Sequence, residues 1–319
     1  MSIIEKAVKR LDVRGRKASQ EPAPSEPVVA SSVAQQNINE VPAQSAAVTS
    51  FTAEPKRADE SKARVDIPLA RLASQGMVSP SAPRSTIAEE YRGIKRPLLM
   101  NINGQTAAEV KYPNLIMVSS SLSGEGKTFS SVNLAMSIAM EQDKSVLFVD
   151  ADVSKASAGR MLGIEGDTPG LIDLLHNPDL SVQDVLLHTN IPNFRVIPAG
   201  RLHERATELL ASHNMKVLME ELAERYSDRV IVFDSPPLLL TTEASVLANL
   251  MGQVVFVVAA EQTSQDAILE GLQRITSDAI VALVLNKAKH QSSGGYGYGY
   301  GYGYGYGSRL APSEEKAAH

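Results

Sequence analysis

Leu115-Ile116-Met117-Val118 runs directly into Ser119-Ser120-Ser121-Leu122-Ser123-Gly124-Glu125-Gly126-Lys127-Thr128, and a helical apolar pattern follows from Phe129 to Met140. A strand that turns through a glycine-containing loop into a helix is the setting in which backbone amides cradle phosphate. Ser121 stands where a first glycine is usual, but the physics survives. Gly124 and Gly126 let N–H groups curl around phosphate oxygens, and the helix N-terminus adds positive potential. Lys127 reaches terminal phosphates, and Thr128 offers a hydroxyl to a divalent cation.

Further short, β-branched runs occupy Val146 to Val149, Phe194 to Ile197, Val230 to Phe233, Val254 to Val258 and Ile280 to Leu285. Amphipathic helices are expected between them, at Thr207 to Tyr226 and Ala267 to Thr276 among others. Ser85-Thr86 caps another, with Ile87, Ala88, Tyr91, Ile94 and Leu98 on one face and Pro97 kinking or ending it. Strand and helix in alternation predict an α/β fold: a doubly wound, mostly parallel sheet of the phosphate-loop NTPase type. The aromatic content agrees. Six of the nine tyrosines lie in the last 29 residues, and with six Phe and no Trp the folded part needs an aliphatic core.

Two more strands end in acid on the side of the sheet where ligands of open α/β folds bind. Val146 to Val149 leads into Asp150-Ala151-Asp152, and Val230 to Phe233 into Asp234-Ser235-Pro236-Pro237. Three strand ends converging on one crevice with Lys, Thr and three carboxylates imply nucleotide phosphates with a hard, oxygen-bound cation. The absence of cysteine excludes disulfides, thiolate metal sites and a cysteine nucleophile. A net charge of −5 with pI near 5.8 argues against a nucleic-acid partner. No apolar run of about 18 residues is present, so no membrane span is expected, and the charged start does not read as a secretory signal.

The sequence divides into four parts. Ile3, Ile4, Ala7, Val8 and Leu11 give residues 1–14 the pattern of a short amphipathic helix. It either touches an anionic surface, docks on a partner or frays alone. Residues 15–64, rich in Pro, Ala, Ser and Gln, read as a disordered arm. Residues 65–290 form the phosphate-loop domain, with order beginning near Ile67 or Ser85. Residues 291–319 read as a flexible tail in which Tyr296, Tyr298, Tyr300, Tyr302, Tyr304 and Tyr306 alternate with glycine.

From about Val65 onward the chain resembles the bacterial tyrosine kinase family, close to the autokinases of exopolysaccharide and exosortase systems. Ser121 to Thr128 corresponds to its Walker A loop, Asp150-Ala151-Asp152 to Walker A′ and Asp234-Ser235-Pro236-Pro237 to Walker B. Related MinD and ParA ATPases carry a lysine where this chain has Leu122, which together with the tyrosine tail favours the kinase. The alternative is a MinD-like, nucleotide-switched positioning or assembly protein. Two departures stand out: Ser154 followed by Lys155 replaces the arginine after Walker A′, and the oligomerisation motif reads Glu89, Arg92 and Lys95, with lysine in its last place. As plain helix residues, the same three form surface pairs at i, i+3 spacing.

The resemblance implies an ATP- and Mg²⁺-dependent protein-tyrosine autokinase that phosphorylates the six tail tyrosines in trans and regulates exopolysaccharide synthesis or export. Gly124, Glu125, Gly126, Lys127 and Thr128 would hold the phosphates. Thr128, Asp150 and Asp234 would hold Mg²⁺. Lys127, Asp150 and Asp152 would be catalytic, with Asp150 favoured over Asp152 as the base, and Asn286 would read the adenine edge or simply turn the chain. Implied partners are a membrane polysaccharide co-polymerase on a separate chain as activator, further copies of the chain in a ring, and a tyrosine phosphatase. The implied location is the cytoplasm, at the inner face of the membrane.

Overall fold

The computed structural model of the chain describes residues 63–106 and 109–289. The expected N-terminal helix, nearly all of the arm and the tyrosine tail lie outside the described residues. Among the described residues eight strands form one sheet: β1 (Arg64–Val65), β2 (Leu115–Ser120), β3 (Ser145–Asp150), β4 (Leu187–Thr189), β5 (Phe194–Ile197), β6 (Arg229–Asp234), β7 (Gln253–Ala259) and β8 (Ile280–Asn286). Their spatial order is β1-β4-β5-β3-β6-β2-β7-β8. Every neighbouring pair is parallel except β4 with β5. The six strands legible in the sequence are the six longest.

The other two are too short to show a period. Arg64 and Val65 pair with His188 and Thr189, so order begins earlier than the composition suggests. Ten helices among the described residues cover the sheet: α1 (Leu69–Ser74), α2 (Thr86–Ile102), α3 (Lys127–Ala139), α4 (Ser157–Leu162), α5 (Leu171–His176), α6 (Val182–Val185), α7 (Ala206–Leu210), α8 (His213–Arg225), α9 (Thr242–Ala248) and α10 (Gln265–Gln273).

Successive residues of a strand point to opposite faces, and the central strands feed two separate cores. Leu115, Met117, Leu147, Ile231, Phe233 and Phe256 join one core, while Ile116, Val118, Phe148, Val232 and Val255 join the other. This double burial explains the near-continuous apolar runs.

Two helix expectations are corrected. Pro97 does not end α2, which continues to Ile102. Pro97 and Gly93 both lie on the exposed face, so the Gly93 carbonyl that loses its intrahelical donor faces water. The single helix expected over Thr207 to Tyr226 is two, because the Ser212 hydroxyl accepts the Met215 N–H at 3.3 Å and starts α8 afresh.

Candidate active site

The loop after β2 begins from fully buried Ser119, Ser120 and Ser121 and turns through Gly124 and Gly126, both at positive φ (83° and 101°). Gly126 caps α3, and a Cβ placed there would lie 1.9 Å from the Asn286 side-chain nitrogen. Only glycine fits both the φ and the space.

Side chains brace the loop from within. The buried Glu125 carboxylate accepts the Leu122 N–H at 2.6 Å and the Thr263 hydroxyl. Asn286 donates from its side-chain amide to the Glu125 carbonyl at 2.8 Å, and Lys287 donates to the Gly124 carbonyl at 2.7 Å. Asn286 therefore grips the loop backbone, a role the sequence reading of adenine recognition or chain turning did not contain. Glu125, expected among the phosphate-holding residues, has its carboxylate committed to the loop itself.

Beside the loop, β3 and β6 end level with one another, since Asp150 is the register partner of Asp234. Both are fully buried. Asp234 accepts the Thr128 hydroxyl at 2.7 Å through Oδ2, and Asp150 accepts the Gly159 N–H at 3.0 Å through Oδ2. The remaining oxygen of each, Oδ1, is buried and has no hydrogen-bond partner among the described residues. Burial, reinforced by Asp234, raises the Asp150 pKa well above the carboxylate range, and burial pushes Asp234 up to about 7. Two buried carboxylates in register, each with an oxygen lacking a partner, are held toward their protonated forms by burial, and a cation bound between them would displace those protons and complete the site.

Among the described residues no three His, Cys, Asp or Glu side chains gather to cage a metal. Two carboxylates and the Thr128 hydroxyl instead suit Mg²⁺, which keeps open positions for phosphate and water. Lys127 lies buried beside them. Burial lowers its pKa, opposed by Asp152 and Asp234 and assisted by Lys155. Asp152, also buried, accepts the Ser154 hydroxyl at 2.9 Å. Lys155 reaches the Ser123 hydroxyl of the phosphate loop, which places a second cation at its mouth. Ser157, unmarked in the sequence, contacts the Thr128 hydroxyl at 2.9 Å.

The expected oligomerisation residues do not share a face. Glu89 and Arg92 are exposed and paired with one another. Lys95 is buried, donating to the Ser137 carbonyl at 2.5 Å and pairing with Glu141 at 2.6 Å. The Lys95 ammonium is thus bonded within the chain, to α3 and to Glu141 beyond it. Arg96 is the exposed cation next to it. Leu122, where a lysine would mark the partitioning ATPases, presents a 39% exposed apolar side chain.

A glycine-turned loop opening a helix beside two acid-ended parallel strands defines a phosphate-loop nucleotide-binding domain. The profile of the AAA domain family matches residues 114–287, more than half of the chain, and the chain belongs to that family. The relatives narrow the class. The tyrosine-protein kinase ptk of Acinetobacter johnsonii is 34% identical over 57% of this chain, which spans only 24% of that protein's length. The putative tyrosine-protein kinase CapB of Staphylococcus aureus is 29% identical over 67% of this chain and 90% of its own. Among solved structures, the chimerical protein CapA2B2 superposes with a TM-score of 0.53 at 26% identity, covering 67% of this chain and 98% of that one.

Proposed function

We propose that the chain is an ATP- and Mg²⁺-dependent protein-tyrosine autokinase whose acceptors are the six tail tyrosines. The observation that carries the chemistry is the pair of orphaned buried oxygens on Asp150 and Asp234 beside Thr128 and Lys127. The similarity to proteins named tyrosine-protein kinases carries the choice of acceptor. The other three tyrosines support it by elimination. Tyr91 is buried, with its phenol pushed up to about 12 by burial. Tyr112 and Tyr226 precede β2 and β6, at the rim of the sheet opposite the crevice.

Phosphoryl transfer needs positioning and charge neutralisation more than covalent assistance. The amides at Gly124 to Thr128 and the Lys127 ammonium hold the phosphates, and Thr128, Asp150 and Asp234 hold Mg²⁺. Bound Mg²⁺ supplies charge neutralisation at the transferring group. A tyrosine hydroxyl of pKa near 10 requires a proton acceptor at neutral pH. Asp150 or Asp152 fills that role, and the resemblance to the bacterial tyrosine kinases favours Asp150.

Transfer runs in trans within a homo-oligomer. A membrane polysaccharide co-polymerase on a separate chain recruits and activates the kinase at the inner face of the cell membrane, and a tyrosine phosphatase resets it. The readout is intended for control of exopolysaccharide synthesis or export. Incubation with Mg-ATP followed by intact mass and fragment mapping tests the core reading. Multiple phosphates within residues 296–306 are expected. Inorganic phosphate released from an unmodified chain would instead make it an ATPase.

A further inference from the structure

The two edges of the sheet are finished differently. β1 is two residues long and begins with a charged Arg64, the kind of blunt edge that resists pairing. β8 is seven residues long, and among the described residues no strand pairs with its outer side. Along it exposure alternates: Val281, Leu283 and Leu285 are 37%, 49% and 64% exposed, while Ala282 and Val284 pack on the core.

The backbone follows the same alternation. Ile280 donates its N–H to the Gly252 carbonyl, and the Asn286 carbonyl accepts from Ala260, so the even-numbered residues bond inward toward β7. Val281, Leu283 and Leu285 consequently turn their N–H and C=O groups to the open edge. The three residues whose backbone groups meet no strand among the described residues are the three with exposed apolar side chains. An edge of this length and character is a template for one more strand.

We infer that the tail of the same chain, Gly295 to Gly307, supplies it, folding back on β8 as an antiparallel ninth strand. The chain continues for 30 residues beyond Lys289, just past the end of β8. Its Ser292-Ser293-Gly294-Gly295 has the composition of a connection between two strands. Strict alternation matches the strand period of two, so all tyrosines fall on one face and all glycines on the other. Tyrosine is among the residues favoured in strands. With the tyrosine face on the side of Val281, Leu283 and Leu285, aromatic and aliphatic side chains pair across the strands, at roughly 0.2–1 kcal/mol each. The alternate glycines oppose this by their entropy. The balance makes the ninth strand weak and releasable, as an acceptor segment requires.

The docking stands without the kinase reading, but its regulation rests on that reading. Phosphates on alternate residues would crowd like charges along one face. Phosphorylation therefore releases the strand.

The test reads backbone amide exchange at Val281, Leu283 and Leu285 by NMR, in phosphatase-treated full-length protein without nucleotide. A full-length variant with all six tail tyrosines changed to Ser is compared. In the native chain these three amides should exchange about tenfold or more slowly than in the variant. Ala282 and Val284, bonded inward, should be equally slow in both, which shows the fold intact. Equal exchange at the outward amides would overturn the inference, as would protection that grows with protein concentration, since that would assign the edge to a second copy. Because no ATP is present, failure here leaves tail phosphorylation by Mg-ATP to be judged separately. Conversely, protection that persists after the tail has been phosphorylated would overturn the release.

Discussion

β3 and β6 end in the middle of the sheet on Asp150 and Asp234, each fully buried with one oxygen that meets no hydrogen-bond partner. β8, two strands from β6's neighbour β2 in the sheet, ends on Asn286, and its side chain and that of the following Lys287 are bonded to carbonyls of the phosphate loop. One strand end is electrostatically unfinished and the other is mechanically complete. The difference separates residues kept for a ligand from residues kept to hold the loop in readiness for it, a distinction invisible in residue type alone.

The comparison breaks first at Lys127. Lys127→Met should lower tail phosphorylation at least about a hundredfold, as removal of a charge that meets the transition state does. Its melting temperature should stay near that of the parent, because a side chain of similar length replaces the lysine stem. A variant that still labelled at the parent rate would remove Lys127 from the site.

Asp234→Asn sharpens the unfinished end. In the metal- and nucleotide-free protein burial holds Asp234 up at about 7, whereas an unfolded aspartate titrates near ~3.9. Below both values neither state is charged and no penalty exists. As pH climbs between them, the unfolded chain ionises while the folded one keeps its proton, so stability falls and then levels off above about 7. The substitution should raise the melting temperature most at pH 7.5 and hardly at all near pH 4. In Mg-ATP the gain should shrink or reverse. Melts at pH 4, 5.5 and 7.5 that differ from the parent by a constant amount would refute the buried penalty.

At the complete end the effect is smaller. Asn286→Ala removes one neutral hydrogen bond, worth about 1 kcal/mol, and should weaken nucleotide binding severalfold in titration calorimetry with little change in melting temperature. If instead the variant bound as the parent does, the grip on the Glu125 carbonyl would carry no functional weight. Remote from both ends, Pro97→Ala on the exposed face of α2 should raise stability by about 1–3 kcal/mol by restoring a helical hydrogen bond, measured by urea unfolding.

Much of this was legible because it is periodic or local. The six longer strands announce themselves as β-branched runs, and the loop is a contiguous motif whose strand-to-helix setting the structure reproduces. Asp150 and Asp234 are visible as acids at strand ends, but that they sit in register is a property of β3 beside β6, and only the strand order reveals it. Thr263 is 138 residues from Glu125 in sequence, and Lys287 is 163 from Gly124. No spacing rule connects them. Lys95 shows the converse: a helical repeat fixes its spacing from Glu89 and Arg92, while its burial against α3 depends on packing that no repeat encodes.

The grip of Asn286 and Lys287 also fixes where the tail is hinged. Asn286 and Lys287 tie the chain to the phosphate loop, so the reach of the tyrosine segment is counted from there. From Lys287 to Tyr296 there are nine residues and to Tyr306 nineteen, which at about 3.3 Å each set radii of roughly 30 and 63 Å. Seven residues of β8 can shelter only the first part of the thirteen from Gly295 to Gly307. On the proposed docking the outermost tyrosines would lie beyond the end of β8, so a neighbouring crevice would meet Tyr306 and Tyr304 before Tyr296, and labelling should advance from the free end toward the hinge.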